Sequence, residues 1–260
     1  MVAHLPPTGE RLSFAAVGTA PPERPAEMLP ERLSGGRGHA GDDRVAPVTI
    51  DRFGALRTEY VNAPLERDSL AADPAQQFST WLDHAVAANL EEPNAFVLST
   101  VGENGAPSAR TLLLKGLQPD GLLFYTNYRS RKAREIDGEP RVSALFLWLP
   151  LHRQVRIEGR VTKLDAETSD RYFASRPVES RYASAASPQS DVVYEGQLER
   201  LLEELKARHP DGNVPRPAHW GGYRLEPSGY EFWQGREARF HDRFRYSKSD
   251  SGWRIDRLAP

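Results

Sequence analysis

Residues 110–132 read Arg110-Thr-Leu-Leu-Leu-Lys-Gly-Leu-Gln-Pro-Asp-Gly-Leu-Leu-Phe-Tyr-Thr-Asn-Tyr-Arg-Ser-Arg-Lys132. Two apolar runs, Arg110–Lys115 and Leu122–Asn127, flank the turn-forming Gln118-Pro119-Asp120-Gly121, so the pattern predicts paired strands joined by a tight turn. Both runs end in polar groups: Arg110 and Lys115 on the first, Tyr125 and Thr126 on the second, then Arg129, Arg131 and Lys132. A sheet edge that gathers cations and hydroxyls suits a phosphorylated ligand, because phosphate oxygens take charge-assisted hydrogen bonds from guanidinium and ammonium groups. A strand pair followed by a solvated basic turn is the other reading of this stretch.

The surrounding chain extends the strand pattern. Ala95–Val101 reads as a buried strand, and Glu103-Asn104-Gly105 as a hairpin turn into a strand over Pro107–Leu117. Further strands are expected over Val142–Trp148, Gln154–Lys163, Tyr230–Gln234, Arg239–Tyr246 and Trp253–Leu258. Helices are fewer. Asp73-Pro74 is a capping residue followed by proline at the first helical position, and Phe78, Trp81, Leu82, Val86 and Leu90 follow at helical spacing, predicting an amphipathic helix over 74–90. Asp165–Ser175 begins with an acidic cap and stops at Pro177, and Gln197–Arg208 carries Leu198, Leu201, Leu202 and Leu205 on one face. Ile50–Tyr60 fits a short helix. Hairpin-connected strands with peripheral helices indicate a mostly β fold, an antiparallel barrel or sandwich, and not a doubly wound sheet.

Residues 1–48 are rich in Pro, Gly, Ala, Arg and Glu with little apolar periodicity, and are expected to form a disordered extension before one domain over 49–260. Gly36-Arg-Gly-His-Ala-Gly41 formally matches a dinucleotide-binding pattern, but no strand precedes it and no amphipathic helix follows. Met28 offers an alternative start. The weakly apolar Leu12–Ala20 follows Glu10 and runs into Pro21-Pro22, which argues against a signal peptide. Across 260 residues the net charge is -2 and there is no cysteine. The near-neutral balance gives no global field for nucleic acid or anionic membrane, and no apolar stretch has the length of a membrane span. Lack of cysteine removes disulfides and thiolate metal sites and fits the cytoplasm.

Two more groups of residues carry chemistry. Tyr172 and Arg176 lie one helical turn apart, with Ser180 in the next turn, and all three donate to phosphate. They can equally be ordinary surface polar residues. In Trp233-Gln-Gly-Arg-Glu-Ala-Arg239-Phe-His241-Asp-Arg243-Phe244, strand alternation would place Arg239, His241 and Arg243 on one face, where they repel unless an anion or acidic groups neutralise them. The seven histidines are scattered and no metal-binding, phosphate-loop or nucleophile-elbow motif occurs, so no metal site is expected.

Taken together these blocks resemble the pyridoxine/pyridoxamine 5'-phosphate oxidase family. The matching text is Arg110–Lys115, Phe124–Asn127, Ser130–Lys132, Arg153–Val155, Tyr172-Phe-Ala-Ser-Arg-Pro177, Gln189-Ser190, His219–Tyr223, Glu231–Gly235, Arg239–Phe244 and Arg257–Pro260. The likeness runs in one register from about Pro74 to the last residue. It implies a split β-barrel that dimerises, with FMN in a cleft between the subunits. By position, Arg110, Thr111, Leu112, Leu113, Leu114, Lys115, Tyr125, Thr126, Arg131, Lys132 and Gln154 resemble the family's FMN contacts. Gln189, Ser190, Trp233 and Arg243 resemble the rest, several of them reaching FMN across the dimer interface. Lys115, Tyr172, Arg176 and Ser180 match the residues that hold the substrate phosphate, and Arg239 and His241 the catalytic pair that closes over the substrate ring.

The implied reaction is FMN-dependent oxidation of pyridoxamine or pyridoxine 5'-phosphate by molecular oxygen. The rivals are a related flavin oxidase acting on another aromatic compound, such as a phenazine precursor, and a flavin- or pyridoxal-phosphate-binding protein without turnover. One departure bears on them. Ser180 is followed by Arg181-Tyr-Ala-Ser-Ala-Ala186, where the family commonly reads Gly-Ala-Trp before the Gln-Ser pair, so the loop expected there is differently packed.

Overall fold

The computed structural model describes residues 59–260. The extension over 1–48 and most of the helix expected over Ile50–Tyr60 lie outside the described residues, and Glu59 and Tyr60 themselves are not helical. The described strands are β1 Ala95–Val101, β2 Pro107–Leu113, β3 Gly116–Gln118, β4 Gly121–Asn127, β5 Arg141–Trp148, β6 Arg153–Lys163, β7 Trp220–Gln234, β8 Asp242–Ser249 and β9 Gly252–Leu258. The helices are α1 Pro74–Ala87, α2 Arg131–Gly138, α3 Ala166–Ser175, α4 Val178–Ala186 and α5 Gln197–Arg208.

The strands pair in the order β2-β1-β5-β6-β7-β4-β3, every pair antiparallel. β2 and β3 are the outer members of this order, yet only Leu114 and Lys115 separate them in the chain. Two residues span at most about 7 Å, so the sheet has to curl until its two edges approach. The Lys115 amide closes the gap by donating to the Leu123 carbonyl at 2.8 Å. The barrel is split at β7. Trp220–Leu225 pair with β4, whereas Gly229–Gln234 on the same edge pair with β8, which carries β9. The opposite edge of β7 runs along β6 with a bulge at Glu158/Gly159. A Cβ on Gly159 would lie 2.1 Å from the Glu226 carbonyl oxygen, so only glycine permits this approach.

Alternating burial in β1 and β5 supplies the barrel interior, as period-two patterning requires. Helix α1 plugs one end. The Asp73 carboxylate accepts from the Ala75 amide at 2.9 Å, and Phe78 and Trp81 pack edge-on against Phe146 and Phe232 at 4.8 and 5.2 Å. The helix stops before residue 90 because Asn89 adopts a left-handed φ of 52°, and Val86 faces outward at 55% exposure. A second cluster of Phe173, Tyr182, Leu205, Val214 and Trp220 seats α3, α4 and α5 against the barrel.

Several expectations need correction. The Arg110 run does not pair with Leu122–Asn127; it belongs to β2 and pairs with β1, and only the short β3 forms the hairpin with β4. Pro107–Leu117 is therefore two strands, broken at the seam. The strand expected over Tyr230–Gln234 begins ten residues earlier, at Trp220. The strand expected over Arg239–Tyr246 starts only at Asp242, because Ala238 and Arg239 turn the chain with φ of 51° and 63°. Arg239, His241 and Arg243 thus do not share a strand face. The basic turn and the Arg181–Ala186 loop are also revised: Arg131 opens α2, and Arg181–Ala186 complete α4.

Gly159→Ala is expected to destabilise the fold by about 1–3 kcal/mol or more through overpacking. The measurement is the urea midpoint at unchanged slope. A parent-like midpoint would show that β6 and β7 are free to move apart there.

Candidate active site

A cavity of about 730 Å³ opens between the barrel seam and helices α3 and α4, within the size range of small-molecule sites. Its walls include Thr111, Leu112, Leu113 and Lys115 from the seam, Tyr125, Thr126 and Asn127 from β4, Tyr172, Arg176, Ser180 and Ser184 from the helical layer, and Ser187, Gln189 and Trp220. Leu114, between two cavity residues, turns into the core, and its main-chain N–H and C=O bind Asn94.

The start of α2 lies behind the Thr126 and Gln189 wall of the cavity. Lys132 is buried, and its ammonium donates to Thr126 Oγ1, Ser130 Oγ and Gln189 Oε1 at 3.1–3.2 Å. None of these acceptors is charged, and Lys132 makes no ion pair among the described residues. Burial, reinforced by the nearby Arg110 charge, lowers its pKa to about 8, with Glu135 acting the other way. The Arg131 amide, at the start of the same helix, donates to Ser190 Oγ at 3.1 Å, and the Ser130 N-cap contributes no side-chain cap. A buried ammonium with only neutral partners beside a helix N-terminus makes this a place of positive potential.

Glu135, one turn after Arg131, organises the neighbouring cations. Its carboxylate accepts from Thr100 Oγ1, Ser108 Oγ, Arg131 Nε and Arg110 Nη2 at 2.5, 2.7, 2.8 and 3.2 Å. Burial pushes the carboxyl up, but the hydroxyls of Thr100 and Ser108, the bond from Arg131 and the charge of Arg110 outweigh it and hold the group at about 2. Arg110 also donates to the Leu98 carbonyl and does not itself line the cavity. The sequence reading missed Glu135, although its four-residue spacing from Arg131 on a helix was a usable signal.

One end of the cavity is built where α3 gives way to α4. Arg176 is the C-cap of α3, its guanidinium stacked 4.7 Å over Trp220, and burial lowers its pKa. Tyr125 stacks on Tyr172 at 3.8 Å and on Trp220 at 5.6 Å, a close approach that leaves no room for a side chain at Gly222, whose Cβ would meet the Tyr125 ring at 2.7 Å. Arg176 Nη1 donates to Ser184 Oγ at 2.7 Å and has no ion pair among the described residues. Ser180 lies in the first turn of α4, whose N-cap, Pro177, offers no side-chain cap. Lys115, Tyr172, Arg176 and Ser180 all line this cavity, and Ser184 joins them. Its four-residue spacing from Ser180 shows that connection only once Arg181–Ala186 are helical.

Residues 82–205 match the family model described as pyridoxamine 5'-phosphate oxidase, and residues 220–260 match that of the pyridoxine 5'-phosphate oxidase C-terminal dimerisation region. The chain is 52% identical over 206 residues to the pyridoxine/pyridoxamine 5'-phosphate oxidase of Bordetella petrii, covering 79% of this chain and 98% of that protein. It belongs to the pyridoxine/pyridoxamine 5'-phosphate oxidase family. Among solved structures it is similar to PhzG from Burkholderia lata in complex with tetrahydrophenazine-1-carboxylic acid. That match has a TM-score of 0.73 at 31% identity and covers 78% of this chain and 100% of the other. It also shares the fold of a pyridoxamine 5'-phosphate oxidase-related, FMN-binding protein from Nostoc punctiforme, with a TM-score of 0.59 at 21% identity over 74% of this chain and 100% of the other.

Arg131, Lys132 and Ser190 lie outside the cavity lining, and so do the remaining residues that resemble the oxidase family's site. Gln154 and Trp233 are register partners on β6 and β7. Arg243 is tied to Glu231 at 3.2 Å and to the Ala259 carbonyl at 2.8 Å. Arg239 is exposed in the arch between β7 and β8, and His241 packs on Trp233 with ring centroids 4.7 Å apart. Burial and the neighbouring Arg239 lower the His241 pKa, with Asp242 acting the other way. Trp233, Arg239, His241 and Arg243 all fall within the matched dimerisation region.

Lys132 gives this site a pH signature. Its folded pKa of about 8 lies below the ordinary 10.5, so between these values the unfolded chain binds more protons and stability rises with pH. Lys132→Met should abolish this contribution, so the parent should gain stability relative to the variant as pH rises through that window. Urea denaturation of the cofactor-free proteins across it is the measurement; parallel curves would place the ammonium in water.

Proposed function

We propose that this chain is a cytoplasmic, FMN-dependent oxidase that converts pyridoxamine 5'-phosphate and pyridoxine 5'-phosphate to pyridoxal 5'-phosphate, acting as a homodimer. The observation that supports this reading is a cavity lined by the cations Lys115 and Arg176, with a further buried cation, Lys132, bonded behind its Thr126 and Gln189 wall. A phosphorylated cofactor and a phosphorylated substrate need two such places. Oxidation of pyridoxine 5'-phosphate consumes one oxygen molecule and yields one hydrogen peroxide; the amine additionally takes up water and releases ammonia. When bound, the flavin supplies the two-electron oxidation and passes the electrons to oxygen.

The chain's own residues bind and orient. Lys132, Arg131, Thr126, Gln189 and Ser190 are assigned to the cofactor phosphate, with Glu135 holding Arg131 and Arg110 in place. Lys115, Tyr172, Arg176 and Ser180 take the substrate phosphate, and Ser184 steadies Arg176. Arg239 and His241, supplied by the second copy, close over the substrate ring, with Gln154, Trp233 and Arg243 completing the cofactor cleft. The neutral form of His241, favoured by burial, can donate one hydrogen bond without adding charge. Fixing the substrate in this way supplies the proximity contribution to rate.

The similarity to PhzG supports a second reading, oxidation of an unphosphorylated aromatic acid. Arg176, Ser180, Ser184 and Lys115 around one end of the cavity favour a phosphorylated substrate. Anaerobic addition of pyridoxine 5'-phosphate to the flavin-loaded protein should bleach the flavin, and air should restore it with release of peroxide. Bleaching only by an unphosphorylated aromatic acid would reverse the assignment. Arg176→Ala should retain flavin and raise KM for pyridoxine 5'-phosphate about ten- to a hundredfold with a smaller change in kcat, as expected for a grip equal in ground and transition states. Loss of flavin would move Arg176 to the cofactor.

A further inference from the structure

The arch between β7 and β8 carries the two residues assigned to the substrate ring, and its backbone is strained. Ala238 and Arg239 both have positive φ, 51° and 63°, and neither is glycine. Such a conformation persists only where the surroundings hold it. The residue that follows the arch is Asp242, 2% exposed and the first residue of β8. Its Oδ2 accepts from the Leu65 amide and from Arg236 Nη1, both at 3.0 Å, and its Oδ1 accepts from Arg257 Nη2 at 2.8 Å. One carboxylate thus ties together the segment before α1, the start of the arch and β9.

Arg236 makes a second bond that matters more for chemistry. Its main-chain N–H donates to His241 Nδ1 at 3.1 Å. An Nδ1 that accepts leaves the proton of the neutral imidazole on Nε2. Arg236 is therefore held at its side chain by Asp242 and at its amide by His241, and the three residues form a closed ring of contacts across the arch.

We infer that Asp242 is a positioning residue: by anchoring Arg236 it holds the arch in its left-handed turn, so that His241 presents Nε2–H and Arg239 stands beside it. The inference rests on the proposed role of Arg239 and His241 at the substrate. Asp242 itself has no place in the cavity and no part in cofactor binding.

Asp242→Asn keeps the shape and removes the charge that engages both arginines. It should retain flavin, lower kcat about ten- to a hundredfold as misplacement of reacting groups does, and change KM for pyridoxine 5'-phosphate much less. Ring-nitrogen NMR should show one Nε2–H tautomer for His241 in the parent and loss of that single state in the variant. Asp256→Asn, which removes ion pairs with Arg245 and Arg254 on the neighbouring strands, should leave both readouts at parent values. If Asp242→Asn does not fold, Arg236→Met leaves the carboxylate paired with Arg257 and Leu65 and should give the same two effects. Parent kcat, or an unchanged His241 tautomer, in the folded variant overturns the inference. If the parent fails to oxidise the phosphorylated vitamers, the proposed activity falls while the NMR comparison still decides what Asp242 does.

Discussion

Leu114 and Lys115 join the two outer strands of a seven-strand order, and that short reach is the constraint on which the molecule depends. A link of two residues forces the sheet to close on itself. Closure brings Thr111–Leu113 and Lys115 alongside β4, and the chain leaves β4 straight into α2 with its Lys132. The same seam therefore shapes the barrel and furnishes one wall of the cavity. Leu114 serves the fold while its neighbours on either side face the cavity, a division set by backbone alternation at the closing point.

The electrostatics follow a different logic at the two groups of cations. Beside α2 the cations are arranged around a buried acid: Glu135 fixes Arg110 and Arg131, and its bonds outweigh burial to keep it ionised at about 2. Lys132 lies beyond that acid's hydrogen-bonding reach and keeps only neutral acceptors, so its buried charge has no counter-ion among the described residues. Arg176 has no ion pair among the described residues. It is held by the Trp220 face and the Ser184 hydroxyl. A buried acid and a stack of aromatic rings are two ways of holding an arginine in one conformation, and only the second leaves its charge unpaired.

Much of this was legible in the sequence because local patterns and local structure agreed. Asp73-Pro74 started α1 as capping chemistry requires, and Gln197–Arg208 formed α5 at the expected bounds. Spacing and residue type also singled out Tyr172, Arg176 and Ser180, which line one cavity. The failures share a cause: tertiary contacts overrode a local pattern. Alternation of Arg239, His241 and Arg243 read as a strand, but β7 ends at Gln234, paired with Asp242, and the residues between must turn. Arg181–Ala186 were expected as a loop from the family resemblance, yet Tyr182 packs in one cluster with Leu205 and Trp220 and the segment is helical. Glu135 and Asp242 escaped notice because a single acid in a basic stretch shows its partners only after folding.

The central claim is that two phosphates are held on two different sets of residues. A crystal structure of the protein with FMN and pyridoxal 5'-phosphate bound together tests it most directly. The account predicts the FMN phosphate against Lys132, Arg131 and Ser190, and the vitamer phosphate against Lys115, Tyr172, Arg176 and Ser180. Both phosphates on one set, or the FMN phosphate at Arg176, would contradict it.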